Sequence, residues 1–284
     1  MKKYSKFVLA PATTAVVLLG LLCLIPRAQG QQSPPHAEQG TLLDAVGLPG
    51  QMWSANGTYS PVEKNNVISQ WDFQQSAVVY SGWHNSVTVT PYVEFNALID
   101  SEGYTYDNQI QPSAGIRINK LFRIGIISVG TAYSYGDRFG TSTASGRTDF
   151  ISDWVGWQAI ANPTNRFPGS SWTSIGHTSP VEHGDLIEQG YATQGFVLHR
   201  FRRAAIIPYG EITLGHDSQG YDWENKYIGG GGVKVGASIG EIYTEFGAGL
   251  MHESRFNSGL SANGLKIFMN TSYEWHLFGR RGNN

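Results

Sequence analysis

His84 to Ile99 reads HNSVTVTPYVEFNALI, and its residues sort onto two faces. Val87, Val89, Pro91, Val93, Phe95, Ala97 and Ile99 point one way; Ser86, Thr88, Thr90, Tyr92, Glu94 and Asn96 point the other. A period of two over that length is a β-strand with one apolar and one polar face. The alternation returns downstream, where Ile110, Pro112, Ala114, Ile116 and Ile118 oppose Gln109, Gln111, Ser113, Gly115, Arg117 and Asn119. It returns again over Ile127 to Gly136. Weaker strand signals lie at Trp53–Thr58, Val67–Tyr80 and Phe150–Gln158.

This series occurs twice. Pro49 to Gln70 (PGQMWSANGTYSPVEKNNVISQ) returns as Pro168 to Gln189 (PGSSWTSIGHTSPVEHGDLIEQ), with about ten of about 22 residues identical. Pro91 to Asn108 returns as Pro208 to Asn225, and Arg138-Phe139 as Arg255-Phe256. The second copy carries strand signals at Ser171–Gly176, Leu186–Leu198, Ala204–Gly215, Tyr227–Ala237, Ile242–Glu253 and Leu265–Leu277. The expected fold is therefore all-β and antiparallel, with about 12 strands from two six-strand repeats spanning 49–160 and 168–278.

Connection lengths give the setting. Ser81–Trp83, Lys120–Arg123, His199–Arg202 and Ser238–Gly240 are short. Between them fall longer polar stretches at Ser60–Asn66, Asp100–Asn108, Asp137–Asp149, Ser179–Asp185, His216–Lys226 and Ser254–Gly264. Only Ile160–Ser170, between the repeats, breaks the rule. Short turns on one side and long loops on the other are the habit of transmembrane barrels. A soluble β-sandwich alternates equally well. Against it stand polar faces rich in Ser, Thr, Gly, Gln and Asn, and aromatics at Trp53, Trp83, Tyr133, Tyr135, Trp172 and Trp275 that read as membrane girdles.

The ends and composition agree with export. Lys2, Lys3 and Lys6 precede an apolar run from Ala15 to Ile25, and Ala28-Gln29-Gly30 resembles a cleavage site, so residues 1–30 are expected to be a signal peptide. Residues 31–48 read as a Gln/Pro/Ser-rich leader and 279–284 as a tail. The only cysteine is Cys23, so disulfides do not hold the mature chain. A formal net charge of −2 argues against nucleic acid as a partner.

From Trp53 to Phe278 the chain resembles Gram-negative outer-membrane β-barrels of the porin-like kind. The carriers are the strand pattern and the final aromatic strand YEWHLF, which is similar to the signal read by barrel-assembly machinery. The family ends on the aromatic residue; here Gly279 to Asn284 follow. The SPVE and DSxGYxxxN phrases faintly resemble barrels encoded with exopolysaccharide secretion systems. The resemblance implies an outer-membrane location, contact with lipid and assembly machinery, and either passive passage of a sugar or small hydrophilic solute or an accessory role in envelope polysaccharide transport.

Within the polar faces, Glu94 and Arg117 lie on adjacent strands, with Glu211 and Lys234 as their repeats. Opposite charges on a lumen wall form either a selective constriction or a ladder that fills a narrow interior. Asp100, Tyr104 and Asn108 recur as Asp217, Tyr221 and Asn225 in outward loops; carboxylate, amide and aromatic ring suit saccharides. Turn chemistry explains Asp, Ser and Gly equally well, and leaves the tyrosines unexplained. His183 with Asp185, His216 with Asp217 and His252 with Glu253 would serve an outer-membrane hydrolase of lipid or peptide. Adjacent residues on a strand face opposite ways, which weakens the last two pairs. No phosphate loop or Cys/His metal pattern is present, so no cofactor is expected. The expectation is a passive pore or transport accessory, with a hydrolase and a non-conducting structural barrel as alternatives.

Overall fold

The computed structural model describes residues 48–83, 86–103, 108–122, 125–139, 142–156, 166–175, 185–239 and 242–277, with backbone alone over 142–156. The expected signal peptide, the leader up to Gly47 and the tail lie outside the described residues. The first half of the chain forms β1 (Leu48–Gly57), β2 (Ile68–Ser76), β3 (Tyr80–Gly82), β4 (Val87–Asp100), β5 (Gln109–Phe122), β6 (Gly125–Arg138) and β7 (Ser142–Gly156). The second half forms β8 (Gly169–Ile175), β9 (Ile187–Gly195), β10 (His199–Arg200), β11 (Ala204–Asp217), β12 (Lys226–Ile239), β13 (Ile242–Arg255) and β14 (Ser261–Leu277).

All fourteen belong to one sheet. Its first and last strands meet, β1 pairing with β14 from Leu48↔Leu277 to Gly57↔Phe268. The other apparent edge is also paired, β9 with β11 from Gly195↔Tyr209 to Ile187↔Asp217. Setting aside β3 and β10, which continue β2 and β9, a closed antiparallel ring of twelve strands remains. Each of the twelve strands pairs with a neighbour on both sides, which is how a barrel satisfies backbone groups without water.

The halves match element by element, down to a break in the second strand of each. Opposite those breaks stand Pro91 in β4 and Pro208 in β11. A proline carries no N–H to donate across the ladder. The pairing at each proline is one-sided: Ala77 N–H donates to the Pro91 carbonyl and Phe196 N–H to that of Pro208, each at 3.0 Å, with no N–H to return.

Two sequence expectations need correction. The first strand begins at Leu48 rather than Trp53, because its early residues are held in register against β14. Asp137–Asp149 is not a long loop: β6 runs to Arg138, β7 starts at Ser142, and those two residues pair. The TSTASGRT stretch has no apolar alternation to mark a strand, yet ladder pairing needs only tolerant side chains such as Ser and Thr.

The sheet is apolar outside and polar inside. Val93, Phe95, Ile116, Ile118, Val235, Phe246, Leu250 and Ile267 are exposed, while Lys234, Glu245, Glu253 and Lys266 on the opposite face of their strands are buried. Strands of 14 residues in β4, β5, β6, β11, β12 and β13 exceed the roughly 9–11 that a tilted strand needs to cross a bilayer. Both ends of the ring's path, Leu48 and Leu277, lie at the short-turn end. With that end in the periplasm, cysteines at Glu102 and Gln219 are expected to react with an impermeant maleimide on intact cells, and one at Leu198 is not. Equal labelling of all three would refute the orientation.

Candidate functional site

Strand alternation brings Tyr209 and Glu211 of β11, Lys234 of β12, Tyr243 and Glu245 of β13, and Lys266, Phe268 and Asn270 of β14 to the interior. The inner positions between them are glycines: Gly230 and Gly232 on β12 pair with Met251 and Gly249 on β13, and Gly247 lies opposite Lys234. This bare floor lets long side chains lie across it. A Cβ on Gly249 would come within 2.8 Å of the Tyr209 hydroxyl, and one on Gly247 within 2.7 Å of the Phe268 ring.

Over the floor, Lys266 forms an ion pair with Glu211, joining β14 to a strand three places round the ring. Lys234 pairs with Glu245 at 2.8 Å. Tyr191 donates to Glu211 at 3.2 Å, Tyr243 donates to Glu245 at 3.2 Å, and Asn270 donates to Glu245 at 3.0 Å. Tyr59, in the loop beyond β1, donates to Asn270 at 3.0 Å and lies under the Lys266 ammonium. Its burial, followed by the nearby Glu211 and Glu245 carboxylates, holds the Tyr59 hydroxyl well above the usual phenol range. Lys234 is 4% exposed, Lys266 7% and Phe268 2%. This part of the interior is packed; each charge is tolerated because it is paired.

A second buried cluster lies at the long-loop end. The β1–β2 loop folds inward so that Ser60 donates to Glu253 at 2.5 Å and the Val62 amide to the same carboxylate at 3.1 Å. Arg255 binds Glu63, and also Glu253 at 2.9 Å and Asp222 at 3.8 Å. Asn66 donates to Glu63 at 3.3 Å. Glu253 is 0% exposed and Asn66 1%.

Of the expected site residues, Glu94 and Arg117 do meet, at 3.5 Å, with the Arg117 guanidinium 4.0 Å over the Tyr92 ring. Both side chains are 16% exposed, so this wall is less tightly packed than the other. Glu211 and Lys234 face inward as expected but are not partners: each takes the opposite charge from β14 or β13 instead. Ser113 stands opposite Glu94, whereas Gly230 stands opposite Glu211 and leaves room for the longer reach.

The repeated loops use their polar groups internally. Asn108 donates to Asp100 at 2.9 Å and Asn225 to Asp217 at 2.6 Å. The Asp100 and Asp217 carboxylates also accept the Gly103 and Gly220 amides, and those glycines have φ of 76° and 82°. These are Asx turns, and the four side chains are spent on them. Tyr221 stacks on Trp223 at 4.7 Å, and Tyr104 lies outside the described residues. His216 and His252 are exposed on the outer face while Asp217 and Glu253 are buried, which separates both dyads; His183 lies outside the described residues. Trp53 and Trp172 also depart from expectation. Their register with Asp72 and Tyr191 turns them to the interior rather than to a girdle.

Sequence reading missed Lys266, Glu245 and the four interior tyrosines Tyr59, Tyr191, Tyr209 and Tyr243, and gave Glu253 a different partner. The signal was there for two of them: Lys266 and Glu245 are charges in the middle of regular strands, on the face opposite Ile267 and Phe246.

No protein-family model and no curated protein sequence matches the chain. Similar solved structures include an outer membrane channel from Pseudomonas putida F1, with 6% identity, 81% of this chain and 96% of that one covered, and a TM-score of 0.40. The beta domain of the Bordetella autotransporter BrkA has 13% identity, 81% and 100% coverage and a TM-score of 0.36. The Vibrio cholerae outer membrane protein OmpT (trimer form) has 9% identity, 80% and 98% coverage and a TM-score of 0.29. Closed, even-stranded, apolar on its outer face and polar within, the chain has the architecture of a transmembrane β-barrel.

Proposed function

We propose that the barrel admits small hydrophilic solutes through an interior that paired charges hold shut, and that passage requires the Glu211–Lys266 pair to part. The observation that supports this reading is that pair itself, which spans the interior between non-neighbouring strands. Elsewhere round the ring, β4 and β5 carry a more open polar wall of Glu94, Ser113, Arg117 and Asn119. Ion pairs shielded from bulk water are little screened by salt, so such a closure persists at physiological ionic strength.

The test is planar-bilayer recording of the refolded protein beside the Glu211→Gln/Lys266→Met double variant, which removes both charges together. Rare openings in the wild type and frequent ones in the variant are expected. Adding Glu94→Gln to the variant should weaken a preference for cations. The tight burial around Phe268 and Lys234 favours a second reading, a non-conducting structural barrel. Silence of both proteins, with the variant only less stable, would select it.

A further inference from the structure

The short-turn end carries a feature that the closed interior does not use. Leu198-His199-Arg200-Phe201-Arg202-Arg203 links β9 through β10 to β11, and Arg166 runs beside it; His199, Arg166 and all three turn arginines are exposed. From Gln189 to Gly210 there is no acidic residue, in a chain whose net charge is −2. Within that stretch the formal charges are those of Arg200, Arg202 and Arg203. The corresponding stretch of the first half, Ser81 to Ser86, contains no arginine, so the turn does not need the charges in order to form.

The backbone holds the patch in place. Val197 N–H donates to the Arg166 carbonyl at 2.9 Å, Phe201 N–H to Ala204 at 2.7 Å, and Ser238 N–H to Arg203 at 3.0 Å. The third bond ties the patch to the β12–β13 turn, where Ile239 and Ile242 are exposed. Leu198, Phe201 and Phe167 are exposed as well. Guanidinium groups therefore sit among apolar side chains, where the apolar outer face of the barrel gives way to the turns.

We infer that this turn, with Arg166, docks the anionic headgroups of phospholipids in the leaflet facing the short-turn end. A soluble acidic partner would explain the arginines but not the exposed leucine, phenylalanines and isoleucine in line with the membrane-facing belt. A lipid explains both: phosphate meets guanidinium, and the upper acyl chain meets Leu198, Phe201 and Ile239. The inference rests on the barrel's membrane placement and is independent of whether it conducts.

The experiment uses the full chain refolded in phosphatidylcholine bilayers with trace spin-labelled phosphatidylglycerol or phosphatidylcholine, and measures the motionally restricted fraction of each. The wild type should select phosphatidylglycerol about fivefold or more. Arg202→Gln/Arg203→Gln should cut that ratio by about fivefold or more, since one arginine near an anionic headgroup contributes roughly fivefold. Arg202→Lys/Arg203→Lys should keep most of it. Heat-modifiable migration checks that each variant is folded, and Arg202→Gln alone replaces a double variant that is not. Unchanged selectivity in the folded glutamine variant, or none in the wild type, would overturn the inference. So would loss of selectivity on adding inorganic phosphate at constant ionic strength, which would assign the patch to free phosphate.

Discussion

Arg255→Met is expected to lower the unfolding free energy by about 3–5 kcal/mol, the usual effect of stripping one partner from a buried ion pair. The size follows from what is left behind. Glu253 is fully buried and Glu63 nearly so, and both lose their shared countercharge while Ser60 and the Val62 amide remain on one of them. The loop is then held at the barrel mouth against an unpaired carboxylate, and it should lift. Urea unfolding in lipid vesicles measures the stability, and maleimide labelling of a Ser60→Cys probe measures the lifting. Adding Glu63→Gln and Glu253→Gln to Arg255→Met should recover part of the loss, because both buried carboxylates are then removed and only the more exposed Asp222 loses a partner. A loss under about 1 kcal/mol would mean that water reaches the cluster and that the loop is not a latch.

Gly249→Leu and Ala248→Leu should have opposite fates although they are neighbours. Residue 249 faces inward, and its Cβ would lie 2.8 Å from both the Gly231 carbonyl and the Tyr209 hydroxyl. A leucine there must displace Tyr209 from the floor and disturb the Lys266–Glu211 pair above it. Overpacking of this kind costs about 1–3 kcal/mol, and lower yields of folded barrel are expected with it. Residue 248 is exposed on the outer face beside Phe246 and Leu250, where lipid accepts a larger apolar side chain. Its substitution should leave stability unchanged or slightly raised. Equal tolerance at both positions would show that the interior is loose and water-filled.

The strands and the ring are legible because alternation over Val87–Ile99 and its repeats specifies faces, and the parity of short and long connections specifies sides. Stretches where both faces are small and polar, as in the first part of β7, carry no such contrast and read as loop. For the site, the repeated phrases are a better guide than their turn chemistry suggests. Ser-Pro-Val-Glu and Arg-Phe, two separate repeats along the chain, meet as one contact: Glu63 of the first phrase pairs with Arg255 of the second. What stays hidden is partner choice. Glu94–Arg117 is set by neighbouring strands, and local pairing predicts it. Glu211–Lys266 depends on reach across intervening glycines, a property of the assembled interior that no spacing along the chain encodes.

The pairing of Leu48 with Leu277 bears on how the chain reaches this state. The contact that completes the ring joins strands at the two extremes of the described chain, so nearly the full loop-closure entropy must be met before it forms. Such high contact order makes closure slow, and until it occurs β1 and β14 each present an unsatisfied row of amides and carbonyls. A chain cut before β14 would therefore not be a slightly smaller barrel. It would be an open sheet with β13 and β1 as sticky borders, recovered in aggregates rather than in the membrane.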